Sequence, residues 1–102
     1  MRVELSRFIE EDLDTIAEHI AQDNPARAVS FIQEIREKFR LIGQNPVGLS
    51  AYRLHPEIGD DARMAVIGRY VVLFHVVNDI ARIERVVYGG RDLWVMFNEA
   101  IV

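Results

Sequence analysis

Positive charge in this sequence is almost entirely arginine: of twelve Lys and Arg residues only Lys38 is a lysine. A guanidinium stays protonated, so it can hold an oxyanion in a two-pronged fork but cannot serve as a base. Arg85 needs explaining first, because it stands inside the β-branched, apolar run Ile80–Tyr88. A cation in a half-buried strand requires an anionic partner or solvent. Strict alternation puts Ile83, Arg85 and Val87 on one strand face and Arg82, Glu84, Val86 and Tyr88 on the other. Glu84 then cannot neutralise Arg85, which leaves Asp92 or a helix carboxylate. Arg91-Asp92 can itself form a local ion pair, or cap the end of that strand.

Other chemistries find little support. The chain has no cysteine, so disulfides and thiol catalysis are excluded, which fits a reducing cytosol. His19, His55 and His75 are far apart in sequence and no His/Asp/Glu cluster has metal-ligand spacing, so no metal or cofactor is expected. His75, flanked by valines, reads as a satisfied sheet histidine, and His55-Pro56-Glu57 as a loop feature. No Ser/His/Asp arrangement can be assembled. Gly89-Gly90 reads as a turn, not a phosphate-binding loop.

The elements that would position these residues are legible from periodicity. Three β-rich runs, Ala62–Ile67, Tyr70–Val77 and Ile80–Tyr88, are separated by Gly68-Arg69 and Asn78-Asp79. Gly and Asn tolerate the positive φ of tight hairpins, so the runs predict a three-stranded antiparallel meander. Tyr70–Val77 is apolar on both faces and reads as the central strand. Arg2–Leu5 alternates and reads as an edge strand, with Val3 and Leu5 facing in. Ser6 is a plausible N-cap for a first helix running to about Gln22, with Ile9, Leu13, Ile16, Ala17 and Ile20 on one face. Asn24-Pro25 starts a second helix, whose stripe of Ala28, Phe31, Ile32, Ile35, Phe39 and Ile42 ends at Gly43. The connection is short, so the helices form an antiparallel hairpin. Residues 44–61 are irregular, with Tyr52-Arg-Leu54 a brief strand or an extended loop. The tail from Leu93 to Val102 is very apolar for a terminus; it either folds back, anchored by Trp94 and Phe97, or belongs in an interface.

At 102 residues the expectation is a single α+β domain, 1–102, whose modest core a partner would help stabilise. The N-terminal segment is not a signal peptide, and no run approaches the roughly 18 uninterrupted apolar residues of a membrane span. The net charge is −4 and the pI about 5.3. A protein whose business is gripping nucleic-acid phosphates is usually basic. Residues 1–23 hold seven acids and two arginines, whereas residues 52–92 hold six of each, so nucleic-acid contact is neither favoured nor locally excluded. The acidic run Glu10, Glu11, Asp12, Asp14 is either a solvated helix face or a docking surface for a basic segment.

An ordered set of short motifs carries a resemblance: Arg63, Gly68-Arg69-Tyr70, Phe74, Ile83, Arg85-Val86 and Gly89-Gly90-Arg91-Asp92. The set resembles the ParE/RelE superfamily of bacterial toxins, and within it the ParE branch of type II toxin–antitoxin and plasmid-stabilisation toxins. One position departs: Tyr88 stands where that branch usually has histidine in His-Gly-x-Arg-Asp. The resemblance implies the meander with the N-terminal strand on the sheet edge and the helical hairpin over one face. It implies a bacterial cytoplasmic toxin that inhibits DNA gyrase by protein–protein capture, with no catalysis and only indirect contact with nucleic acid. Arg63, Arg69, Tyr70, Arg85, Tyr88, Arg91, Asp92 and Trp94 would contact the target. A cognate ParD-like antitoxin would neutralise it, laying an amphipathic helix against Ile16, Ile20, Phe31, Ile35 and Phe39. Two rival readings remain: a ribosome-dependent mRNA endonuclease using Arg63, Arg85, Tyr88 and Arg91, and, given Tyr88, a non-toxic relative that only binds its antitoxin.

Overall fold

The computed structural model describes residues 1–46, 51–53 and 62–90, with backbone alone at Ala51, Tyr52, Arg53 and Ala62. Its elements are β1 (Arg2–Leu5), α1 (Ile9–Ala21), α2 (Pro25–Gln44), β2 (Ala51–Arg53), β3 (Ala62–Ile67), β4 (Tyr70–Val77) and β5 (Ile80–Tyr88). They make one sheet in the order β1-β5-β4-β3-β2. The three strands of the meander have the bounds their apolar runs suggest, and β4 is central. Gly68 turns β3 into β4 at φ 58°, and Asn78 and Asp79, at φ 50° and 62°, turn β4 into β5. Tyr52 and Arg53 do lie in a strand, β2, antiparallel to β3.

β1 joins the sheet edge parallel to β5, with Val3 opposite Ala81 and Leu5 opposite Ile83. A parallel neighbour cannot be reached by a hairpin, and here the α1–α2–meander path makes the crossover. Val3 packs against the core, but Leu5 is exposed, so only half of the expected inward pair is inside.

The helix hairpin covers one sheet face. Ile9, Leu13 and Ile16 of α1 and Phe31, Ile35, Phe39 and Ile42 of α2 pack on Ala65, Val72, Phe74, Ala81, Ile83 and Val86. Asn24 caps α2 as its sequence indicates, its side chain accepting from the Arg27 N–H at 3.0 Å. Two local expectations change. Ser6 lies two residues too early to cap α1, which begins after Phe8; its hydroxyl instead accepts from the Phe8 N–H and donates to the Glu84 carbonyl at 2.5 Å. Gly43 lies inside α2, not beyond it. A Cβ there would sit 2.5 Å from Val3 Cγ2, so the glycine lets α2 approach β1.

Strict alternation fails in β5. Leu73 pairs with Arg85 but Phe74 pairs with Ile83, which leaves Glu84 as a bulge residue. Beyond the bulge the faces exchange: Val86, not Arg85 or Val87, shares the helix-facing side with Ile83. Glu84 has partners on its own part of the sheet. Its carboxylate accepts from His75 Nε2 at 2.6 Å and from Arg82 Nε at 3.2 Å. His75 is thus held by the sheet.

Candidate functional site: a groove between the first helix and the last strand

The chemistry gathers where β1 stops covering β5. β1 pairs with β5 only as far as Ile83, which leaves the following backbone groups of that edge to be satisfied otherwise. The Ser6 N–H donates to the Ile83 carbonyl at 2.9 Å, and the Ser6 hydroxyl serves the Glu84 carbonyl. Asp12 continues the series from α1, its Oδ2 accepting from the Val86 N–H at 3.0 Å.

The same carboxylate answers the question posed by Arg85. Arg85 Nε donates to Asp12 Oδ2 and Nη2 to Oδ1, both at 2.8 Å, a fork-on-fork pair. The two side chains are only 10% and 9% exposed. The guanidinium also lies 4.7 Å from the centre of the Phe8 ring, within cation–π range. Arg85 is therefore tied to a helix carboxylate, one of the two partners its sequence position allowed. Its role is to lock α1 to the strand edge. Asp12 was hidden in the acidic run, yet a signal was present: it sits three residues after Ile9 and four before Ile16, inside the apolar stripe.

Beside this lock runs a groove of about 850 Å³. Phe8, Asp12, Ile16 and His19 line its α1 wall; Arg69, Tyr70, Arg85 and Tyr88 line the sheet wall. Tyr70 is half-buried, 5.7 Å from Phe31 and 6.0 Å from Tyr88 between ring centres. These contacts form an aromatic ladder from the core to the surface. Tyr88, about half exposed, presents its outer end, with the exposed Arg69 beside it. The Gly89 N–H donates to the Arg69 carbonyl at 2.9 Å, which ties the β3–β4 turn to the end of β5.

Arg69, Tyr70, Arg85 and Tyr88, expected at a target-contacting surface, are thus brought together. Arg63 is not with them: it stands at the other end of β3, paired with Phe74, whereas Tyr70 pairs with Ile67. Arg91, Asp92, Trp94 and the apolar tail lie outside the described residues. The row expected to receive an antitoxin helix is placed differently. Ile16, Phe31, Ile35 and Phe39 are buried between the hairpin and the sheet, and Ile20 is partly buried against that core. Among the described residues that stripe packs on the chain's own sheet. Phe8, Asp12 and His19 are groove residues that the sequence reading did not select.

Among the described residues no group of three or more His, Cys, Asp or Glu is arranged to hold a metal, and no helix is long and apolar enough to cross a membrane.

Comparison with known proteins gives two findings. The family model for the ParE toxin of the type II toxin-antitoxin system, parDE, matches residues 3–93. A solved structure titled "Chromosomal ParDE TA system from P. aeruginosa" superposes with a TM-score of 0.69 at 21% identity, covering 86% of this chain and 95% of that one. At that identity the likeness speaks for the fold. No curated protein matches.

Proposed function

Since this chain belongs to the ParE toxin family, we propose that it poisons DNA gyrase by capturing it, and that a ParD-like antitoxin neutralises it in the bacterial cytoplasm. The observation that carries the capture mechanism is the groove between α1 and β5. The exposed elements of its sheet wall are an arginine and a tyrosine, Arg69 and Tyr88, backed by Tyr70 and by a locked Arg85. Arginine and large aromatics dominate the energetics of protein–protein contacts, above all where they are held in place before binding. Arg91, Asp92 and Trp94 are proposed as further target contacts. Arg85 supports the surface through Asp12, and Tyr88 and Arg69 make the contact.

The antitoxin docks, on this reading, along the outer rim of the α1 wall, where Glu11, Thr15 and His19 are exposed. The buried stripe beneath is already occupied by the sheet. Occupying that rim closes the groove to gyrase, so one surface serves both partners.

Supercoiling by purified gyrase, with and without the protein, tests this reading. The expected result is loss of supercoiling with accumulation of cleaved-DNA complexes, reversed by the antitoxin. Unchanged supercoiling at a large molar excess of toxin would overturn it. Ribosome-dependent cleavage of mRNA in a parallel assay would assign the chain to the endonuclease reading.

A further inference from the structure

The hairpin covers one face of the sheet, yet the centre of the other face is closed to water as well. Met64, Val66, Val71, Leu73 and Val87 share that second face: Met64 pairs with Leu73, Val66 with Val71 and Val71 with Val87. Val72, between Val71 and Leu73, turns to the helices. Leu73 is 0%, Val87 4% and Val71 5% exposed, although none of the three belongs to the cluster that the hairpin buries. Neighbouring strands flank a side chain on a sheet but leave its tip open; a second layer, about 10 Å away, closes it. Among the described residues no element lies over this face: α1 and α2 pack on the opposite one, and the five strands are the sheet itself.

The cover therefore comes from chain outside the described elements, and the sequence discriminates among the candidate segments. Residues 47–50 and 54–61 adjoin β2, at the opposite side of the sheet from Val87. Residues 54–61 also carry three acids, Glu57, Asp60 and Asp61, with Leu54 and Ile58 as their large apolar side chains. Residues 93–102 follow β5, the strand that holds Val87, and eight of the ten are apolar, Asn98 and Glu99 being the exceptions. Ten extended residues span about 33 Å, whereas β3 lies two strand spacings from β5, about 10 Å. The tail thus starts at the right strand, reaches across the face and matches it in polarity. An apolar terminus and an apolar sheet face are both stabilised by leaving water together.

We propose that residues 95–102 dock on this second face as a further layer of the fold, with Phe97 as the anchor over Val71, Leu73 and Val87. A large, stiff ring buries much area for little conformational cost, which makes it the natural anchor. Val66 and Val77, each 42% exposed, form the rim of the seat. Trp94 precedes the docked segment, so the proposal does not use the ring assigned to target contact. A tail held in this way keeps the apolar face from meeting a second copy of the chain. The seat lies on the face opposite the hairpin and does not depend on what the α1–β5 groove captures.

The chain has no cysteine and one tryptophan, so thiol and fluorescence probes can both be placed in the full chain without background. Val66→Cys with Ala100→Cys sets one thiol on the rim of the seat and one on the tail. Val29→Cys with Ala100→Cys is the control, because Val29 is equally open to reagent but stands on the outer side of α2. A short bismaleimide should link the first pair within one chain and leave the second pair unlinked. Phe97→Trp in a Trp94→Phe background moves the sole tryptophan to the proposed anchor. Its emission should lie at shorter wavelength in the folded than in the urea-unfolded chain, with weaker quenching by acrylamide. Adding Leu73→Ala should move that emission to longer wavelength, whereas Ile42→Val, in the core beneath the hairpin, should not. No link in the first pair, equal linking of both pairs, or emission and quenching as in the unfolded chain would overturn the proposal. Links formed only between chains would overturn it too, and would assign the face to a second copy. Neither measurement involves gyrase, so the capture reading stands or falls separately.

Discussion

Removing the Asp12 carboxylate should be among the most damaging single changes this domain can undergo. Asp12→Ala removes the fork partner of the Arg85 guanidinium, 10% exposed, and takes away the acceptor of the Val86 N–H. Breaking one side of a buried ion pair typically destabilises by about 3–5 kcal/mol, and an orphaned buried N–H adds roughly 1–3. The two losses share one carboxylate and are not additive, so the estimate stays at about 3–5 kcal/mol. A domain of this size is stabilised by only about 5–15 kcal/mol, and each kcal/mol moves the midpoint by roughly 4–8 °C. The expected fall in melting temperature is thus at least about 12 °C.

Equilibrium unfolding in urea of Asp12→Ala, Arg85→Met and the double variant gives the decisive cycle. Arg85→Met keeps an apolar stem against Phe8 and leaves a buried carboxylate that still accepts from the Val86 N–H. The double variant removes both charges, so it should be less damaged than the sum of the singles by about 2–3 kcal/mol. Asp12→Asn separates the two functions, because its amide oxygen can still accept from Val86 while the charge is lost; it should fall between wild type and Asp12→Ala. Additive single variants, or a loss below about 1 kcal/mol in Asp12→Ala, would refute the lock.

Tyr88→Ala should weaken gyrase inhibition at least about tenfold while costing no more than about 1.5 kcal/mol of stability, the worth of its edge contact with Tyr70; supercoiling titration and urea unfolding read the two separately. Gly43→Ala should destabilise by about 1–3 kcal/mol, since the new methyl meets Val3 Cγ2 at 2.5 Å, and Gly43→Ala with Val3→Ala should be less damaged than the two single losses added together. Asp79→Gly should raise stability by a few tenths to about 1 kcal/mol in urea unfolding, because Asp79 occupies the left-handed region at φ 62° in a two-residue turn.

The meander was legible because its signals are local. Runs of β-branched residues interrupted by Gly68 and by Asn78-Asp79 fix both strands and turns, and the structure reproduces their limits. The helices were equally open to reading, except at Gly43, whose role depends on the distant Val3. What stayed hidden was non-local. The bulge at Glu84 has no local mark, so counting by twos assigned Arg85 to the face that Val86 occupies. The apolar stripe of α2 reads the same whether it packs on its own sheet or on a partner. Only the sheet, assembled from five separate segments, settles that Phe31, Ile35 and Phe39 are core.

The bulge and the lock are one device. Were Glu84 paired in a regular ladder, Arg85 would share the face of Ile83 and drive a charge into the core beneath α1. The bulge instead pairs Arg85 with Leu73 and turns Val86 inward, while the Val86 N–H meets Asp12 at the strand edge. The guanidinium then closes the fork on the same carboxylate and lies against Phe8. α1 is thereby fixed at the height of Arg85, and the groove opens between that point and Tyr88. Deleting Glu84 would make Ile83 and Arg85 neighbours, and strict alternation would then keep Arg85 opposite Leu73 and Val86 facing inward. The deletion should therefore preserve the Asp12–Arg85 fork, so that adding Arg85→Met to it costs as much in urea unfolding as Arg85→Met costs in the wild type. A deletion variant in which Arg85→Met costs nothing further would show that the fork needs the extra residue itself and not the facing that it sets.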